Sequence, residues 1–487
     1  MKLFYRYFAI LSLVFLGFIQ NTNASHISGL DFSYQCIGQD SFLVTLNMFR
    51  DCSGIPAPPT VNINFTSTCG GNLNQVFNKI NGPNGTEVSQ LCPSAINNST
   101  CNGDTLPGMQ QHIYQGIVVL APPCNTWTMS YQVCDRNTTV NLVGQPCSYI
   151  NATLNSGVDT CNNSPLFNAQ PIPYVCINQV VNYNFAVTEP DGDSLAYSFV
   201  NPLQGAGNPV TFNNPYTFNQ PITGITLNSS TGQLTFTPTI QGNFVIAVQV
   251  CEYEYGTGIL KGCVTRDIQF VVIPCTNQQP LAPPGGISNF QGNGLLIGPD
   301  SVEVCVGNNF TFDLVFTDPD TGDTVTLFSN ISTVLPGATV TTTPGNPATM
   351  TVSWIAQPGT PPFNTFTVTG IDDACPTPGI VTASYNVIVT PSTYAGPDLT
   401  ICQGTQWAQM GVVGGTSFTW TVLSGSPIDT VPTSPTYNAT CQNCQFPSFS
   451  PDVTTTYIVT SNLSSTCSNV DTVVVNVAPN FNLTMPN

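Results

Sequence analysis

Short runs of Val, Ile, Thr, Phe and Tyr alternate with polar residues along the chain, and clusters of Gly, Pro, Asn and Asp separate them. Residues 42–49, 235–237, 244–250, 268–273 and 471–477 follow this pattern and are predicted strands, because neighbouring side chains of an extended chain point to opposite faces. No segment sustains the spacing of an amphipathic helix. Short strands between turn signals predict an all-β fold of tandem immunoglobulin-like β-sandwiches.

An internal repeat divides the chain. Residues 175–193 (VCINQVVNYNFAVTEPDGD) match 304–323 (VCVGNNFTFDLVFTDPDTGD) with one insertion, and 264–274 (VTRDIQFVVIP) match 381–391 (VTASYNVIVTP). These pairs predict modules at 161–277 and 278–392, joined near the Pro/Gly-rich stretch 279–286. A further module is predicted at 393–478, a Cys-rich β domain at 26–160, and a linker at 479–487.

Charge changes the picture by its scarcity. There are 7 Lys and Arg against 25 Asp and Glu, a net charge of −18, and only 7 % charged residues, where about a quarter is usual. Only five basic residues follow Lys2 and Arg6. Nucleic acids and anionic membranes need basic patches, so neither is an expected partner. Nineteen cysteines imply an oxidising compartment, and the odd count leaves one thiol free or paired outside the chain. Residues 1–25 read as a signal peptide: Lys2 and Arg6 precede a 12-residue apolar core at 8–19, and 22–24 offer a small-residue cleavage site. That core is too short to span a bilayer and no later stretch is long enough, so no transmembrane segment is expected. No Cys comes just after the core, which argues against a lipoprotein.

Candidate chemistry is sparse. His26 and His112 are the only histidines, so a catalytic triad would depend on His112 alone. Cys441 and Cys444 have CxxC spacing without a second ligand pair, which favours a disulfide over zinc. Only five Glu are available for paired-carboxylate hydrolysis. The chain is therefore expected not to be an enzyme. Calcium is the sharper candidate. Glu189, Asp191 and Asp193 in the first repeat, and Asp318, Asp320 and Asp323 in the second, set carboxylates around a glycine turn. Ca²⁺ takes six to eight oxygens, which such turns can offer. Glu252 and Glu254, and Asp372 and Asp373, occupy corresponding later positions, an arrangement similar to the Asp-rich turns of cadherin-like modules. The alternative is that each run only makes an Asx turn. Two disulfides are expected, Cys251–Cys263 and Cys402–Cys467, the second closing a loop worth roughly 4 kcal/mol in the chain-entropy account. Cys176 and Cys305 are equivalent, but Cys275 and Cys375 are not, and pairing among the ten cysteines from Cys36 to Cys176 stays open.

The motifs at 26–34 (HISGLDFSY), 46–54 (LNMFRDCSG), 133–137 (VCDRN), 163–167 (NSPLF), 191–197 (DGDSLAY), 248–253 (VQVCEY) and 266–267 (RD) resemble, in order, large secreted proteins of gliding, Bacteroidota-type bacteria. Residues 395–404, Trp420, 450–457 and 471–475 look like the PKD-type sandwich common there. The resemblance implies export by the type IX system and a role as a surface or gliding adhesin. It also implies O-glycosylation at Asp-Ser/Thr motifs such as Asp104-Thr105 and Asp471-Thr472; the other reading is that these motifs simply start strands. That family ends in a C-terminal sorting domain for which this chain has no candidate, and the stop in mid-linker at Asn487 leads to the expectation of an N-terminal fragment. The expected function is a non-enzymatic extracellular adhesin or stalk at the bacterial cell surface, with glycans or proteins as partners. The rival readings are a carbohydrate-binding protein, or accessory modules of a secreted hydrolase.

Overall fold

The computed structural model describes residues 26–479 apart from 135, 170, 405 and 464–466. The predicted signal peptide and nearly all of the 479–487 linker lie outside the described residues. Among those described the fold is all-β, made of β-sandwich units. All five predicted strands fall within or across observed ones: Ser41–Asp51, Gln233–Phe236, Gly242–Tyr253, Leu260–Ile273 and Val470–Ala478.

Leu260–Ile273 organises the first unit. It is buried almost continuously instead of at alternate positions, so both its faces are covered. One edge pairs with Gly242–Tyr253 in a long hairpin. The other takes, in succession, Ser148–Leu154, Ile27–Gly38 and, in parallel, Tyr174–Cys176. From Ile27–Gly38 the ladder runs through Ser41–Asp51, Met109–Val119, Asn72–Lys79, Thr60–Ser67 and Trp127–Val133 to Ser148–Leu154, which returns to Leu260–Ile273 and closes the circuit. One apolar core therefore extends from Ile27 to Val272. This corrects the expected division between 26–160 and 161–277. The chain before residue 160 borrows its closing strand from the first repeat, so neither part has a core of its own.

The second module is a two-sheet sandwich with a separate core from Ile287 to Val389. Asn309–Phe316 and Ala348–Ile355 alternate buried and half-buried positions, as strands with one face inward do. A third core, Ala395 to Val475, surrounds the fully buried Trp420. In each repeat and in the third unit a strand near its start lies parallel to the closing one: Tyr174–Cys176 on Leu260–Ile273, Ser301–Cys305 on Ile380–Thr390, and Leu399–Cys402 on Val470–Ala478.

The second module folds back alongside the first unit instead of continuing it end to end. Asn277 donates to Asp372 at one end, Asn184 donates to Ser384 midway, and Gly192 approaches Pro361 at the other end. A loop of the first unit reaches across: Gln90 Nε2 donates to the Pro378 carbonyl at 2.8 Å, and Cys92 is bonded to Cys375.

Nine disulfides are formed, Cys36–Cys161, Cys52–Cys101, Cys69–Cys124, Cys92–Cys375, Cys134–Cys147, Cys176–Cys275, Cys251–Cys263, Cys305–Cys467 and Cys441–Cys444. Cys251 and Cys263 face each other across the long hairpin, as expected. The expected Cys402–Cys467 pair is corrected: Cys467 bonds Cys305, and Cys402 is the exposed free thiol. Parallel pairing sets Cys402 beside Ala478, whereas Cys467 precedes Val470 at the far end of that strand, about 25 Å away at the usual rise per residue. Ser392 occupies the position in the second repeat that Cys275 has in the first, so Cys305 finds its partner in the next module.

Among the described residues the basic side chains are buried or half-buried. Arg136 binds Asp267 through two hydrogen bonds of 2.7 Å, and Arg266 Nε donates to Asp31 at 2.8 Å, with all four side chains at most 3 % exposed. The Arg266 guanidinium also lies 4.6 Å from the centre of the Phe167 ring. Arg50 is buried and donates to the carbonyls of Gly54 and Ile55; Lys79 is half-buried and donates to those of Ala57 and Pro83. Lys261, also buried, serves the first acidic turn. The motifs containing Asp31, Arg136 and Arg266-Asp267 thus meet in two buried ion pairs on the strand Leu260–Ile273.

Candidate metal centre

Each acidic turn follows a strand of its sandwich and closes on a glycine-containing tip. In the first, Gly192 has φ +84°, a conformation that costs a side-chain-bearing residue energy. Glu189 accepts the N–H groups of Asp191 and Asp193 at 3.1 and 2.6 Å. In the second, Asp318 accepts the N–H of Asp320 at 2.8 Å, and Asn346 holds the turn through the Asp318 N–H and carbonyl. One carboxylate oxygen from each of Glu189, Asp191 and Asp193 lies within 4.8 Å of the others, and so do oxygens of Asp318, Asp320 and Asp323.

The chain entering each module clamps its turn. Asn163 donates through its backbone N–H and its side chain to Asp191 at 2.6 and 2.7 Å. Gln278 does the same to Asp320 at 2.7 and 3.0 Å. Asn162 donates to Glu252, and Asn277 to Asp372. These four residues were not singled out from the sequence, although Asn-x-x-Pro-Leu occurs at both 162–166 and 277–281 and marks them.

The later carboxylates divide. Glu252 is fully buried, and its Oε1 accepts from Tyr34 and Asn162 while Oε2 has no partner. Burial, helped by the charges of Glu189 and Asp193, outweighs the opposing hydrogen bonds from Asn162 and Tyr34 and leaves its carboxyl raised to about 8; Glu189 is likewise raised by burial to about 7. Glu254 lies apart, accepting from Thr257 in the hairpin turn. In the second module Asp372 is buried and accepts from Ala374, Gly379 and Asn277, while Asp373 is exposed and accepts the Thr324 N–H. Asp318 is 6 % exposed, its Oδ2 has no partner, and burial with the charges of Asp372, Asp323 and Asp320 raises it to about 6.

The turns differ in one cation. Lys261 Nζ lies 2.9 Å from both Asp159 and Asp193. Burial would lower this ammonium, but the hydrogen bonds and charges of the two carboxylates outweigh it and hold its pKa raised. The repeat aligns Val264 with Val381, so Pro378 stands where Lys261 does, and Gly379 where Gly262 does. Both glycines lie against the late carboxylate: a Cβ on Gly262 would press on Glu252, and one on Gly379 on Asp372. The second turn has no Lys or Arg salt bridge among the described residues.

His112 is buried on Met109–Val119, with neither ring nitrogen bonded, and burial beside Lys79 and Arg50 lowers its pKa to about 4. It has no hydrogen-bonded carboxylate or nucleophile, as a triad would need.

No family model and no curated protein matches the chain. Among solved structures, three immunoglobulin domains of titin (I67–I69) align at 10 % identity over 65 % of this chain and 99 % of theirs, with a TM-score of 0.21. The N-terminal eight immunoglobulin domains of Down Syndrome Cell Adhesion Molecule align at 12 % identity over 90 % of this chain and 47 % of theirs, TM-score 0.19. Drosophila N-cadherin EC1–4 aligns at 11 % identity over 74 % and 85 %, TM-score 0.18. Scores this low fall short of a shared overall arrangement.

Proposed function

We propose that this chain is a non-enzymatic extracellular adhesin that presents binding surfaces on a rigid, disulfide-tied platform at a bacterial surface, as its resemblance to secreted Bacteroidota-type proteins implies. The observation that carries the reading is the covalent tying of units to one another. Cys92–Cys375 fastens the second module to the first unit, and Cys305–Cys467 fastens the third to the second. Such bonds persist outside the cytoplasm and keep neighbouring modules together under mechanical or proteolytic stress. Among the described residues no helix is long and apolar enough to cross a membrane. An extracellular location agrees with the nine disulfides.

The carbohydrate-binding alternative finds support in a cleft of about 280 Å³ between the first unit and the second module, where Tyr174, Tyr183 and Phe328 meet the amides of Asn168 and Asn330. Rings beside amides suit sugar faces and hydroxyls. An array of glycans and matrix proteins, read for bound chain and for released sugar, tests both readings. Saturable retention without released product is expected. Turnover of any glycan would overturn the adhesin reading, and loss of retention on substituting Asn168 and Asn330 by Ala would move the binding site to the cleft.

A further inference from the structure

We propose that the second acidic turn binds one Ca²⁺ through Asp318, Asp320, Asp323 and Asp372, and that the equivalent first turn binds none because the Lys261 ammonium already serves as its cation. This assignment rests on the two turns alone and is independent of what the chain adheres to.

The comparison is internal to the molecule. Both turns have the same clamp from the entering chain, a triad of carboxylates, and a late carboxylate against a glycine. They differ where Lys261 is replaced by Pro378. At the first turn the ammonium stands 2.9 Å from Asp193 and from Asp159, so a divalent ion there would face a fixed positive charge within contact range of one of its ligands. At the second turn the same constellation has no salt-bridge partner among the described residues. A buried carboxylate without a counter-charge is strongly unfavourable, yet Asp318 is 6 % exposed with Oδ2 unbonded, and Asp323 belongs to the same triad. The donors are all oxygens, with neither His nor Cys in the group. That chemistry selects a hard cation, and the loosely arranged carboxylates suit Ca²⁺ better than the strict octahedron of Mg²⁺.

The position gives the ion a role. Asn277 and Gln278 are the last residues before the chain turns back, and the hairpin carrying Asp372 ends at Cys375, bonded to Cys92 of the first unit. A cation here ties the reversal point, the acidic turn and the stapled hairpin together, stiffening the side-by-side arrangement.

The test uses the full chain, freed of divalent ions with chelator and titrated calorimetrically with CaCl₂, alongside Asp320→Asn, Pro378→Lys and Lys261→Met. The unaltered chain is expected to bind one ion with a dissociation constant of about 10⁻⁴ to 10⁻³ M, the range of extracellular sites. Asp320→Asn and Pro378→Lys are expected to lose it, and Lys261→Met to bind a second. Circular dichroism confirms that each variant is folded. Should Lys261→Met not fold, Pro378→Lys tests the same exchange in the opposite direction. No binding by the unaltered chain, or binding retained in folded Asp320→Asn, would overturn the site. Two ions in the unaltered chain, or Ca²⁺ retained in folded Pro378→Lys, would overturn the role given to Lys261.

Discussion

His112 sits in the first unit without a hydrogen bond to either ring nitrogen and with Lys79 and Arg50 as its charged neighbours. Its pKa, about 4 in the folded chain, is about 6.5 when unfolded. The unfolded chain therefore takes up the proton first. Stability from the neutral ring is complete above about pH 6.5 and is lost as the pH falls toward 4. Thermal unfolding of His112→Met should show a smaller fall in midpoint between pH 7 and pH 4 than the unaltered protein; equal falls would refute this account. Glu252 works in the opposite sense: raised to about 8, it contributes stability at low pH that is lost as the pH rises from about 4.5 through 8. The role of Lys261 was not legible in the sequence. Nothing local to it indicates Asp193, which comes within 2.9 Å only after the hairpin strands are paired. The carboxylates of both turns were legible because they are close in sequence and the turn itself sets their geometry.

Strand register decided which cysteines meet. Cys251 and Cys263 flank a single hairpin, so local pairing is enough to bring them together. Cys305 meets Cys467 only across two modules, a separation of 162 residues that no strand pattern reveals. The repeat correctly marked equivalent strands, but it could not show that Leu260–Ile273 accepts further strands along its second edge, which is why the 160/161 division failed. Cys176–Cys275 joins the opening strand of the first repeat to the segment after its closing strand, spanning 99 residues. Replacing both by Ser should lower unfolding stability by about 2–5 kcal/mol, measured by denaturant titration, with no change in the pairing of Cys92 to Cys375. A loss below about 1 kcal/mol would mean that the parallel ladder alone holds that strand.

At the scale of the molecule, folding back replaces a serial rod with a double-width body. The tandem repeat predicted separate modules, and the second and third do have separate cores. Their lateral arrangement depends on contacts such as Asn184 with Ser384 and Gln90 with Pro378, side-chain to oxygen bonds between residues 200 and 288 positions apart. Single polar residues of this kind carry no periodic signal. The acidic excess also takes on a spatial meaning, because among the described residues the few compensating cations lie buried or half-buried and the surface is left mostly with carboxylates and neutral amides.

That inward placement of Arg50, Lys79, Arg136, Lys261 and Arg266 bears on how the protein survives among secreted enzymes. Trypsin-like proteases cut only after Lys or Arg, and beyond residue 6 this chain offers five such bonds, four at buried residues and one at half-buried Lys79. While folded, it should stay uncut by trypsin at these five bonds for hours. The cleavage rate should follow the population of open molecules, rising steeply near the thermal midpoint and after reduction of the disulfides. Rapid nicking of the native chain at any of the five would show local opening there. Beyond residue 6 the same arrangement leaves amine-directed labels little besides half-buried Lys79 to react with, so such labels, like the protease, report the state of the fold.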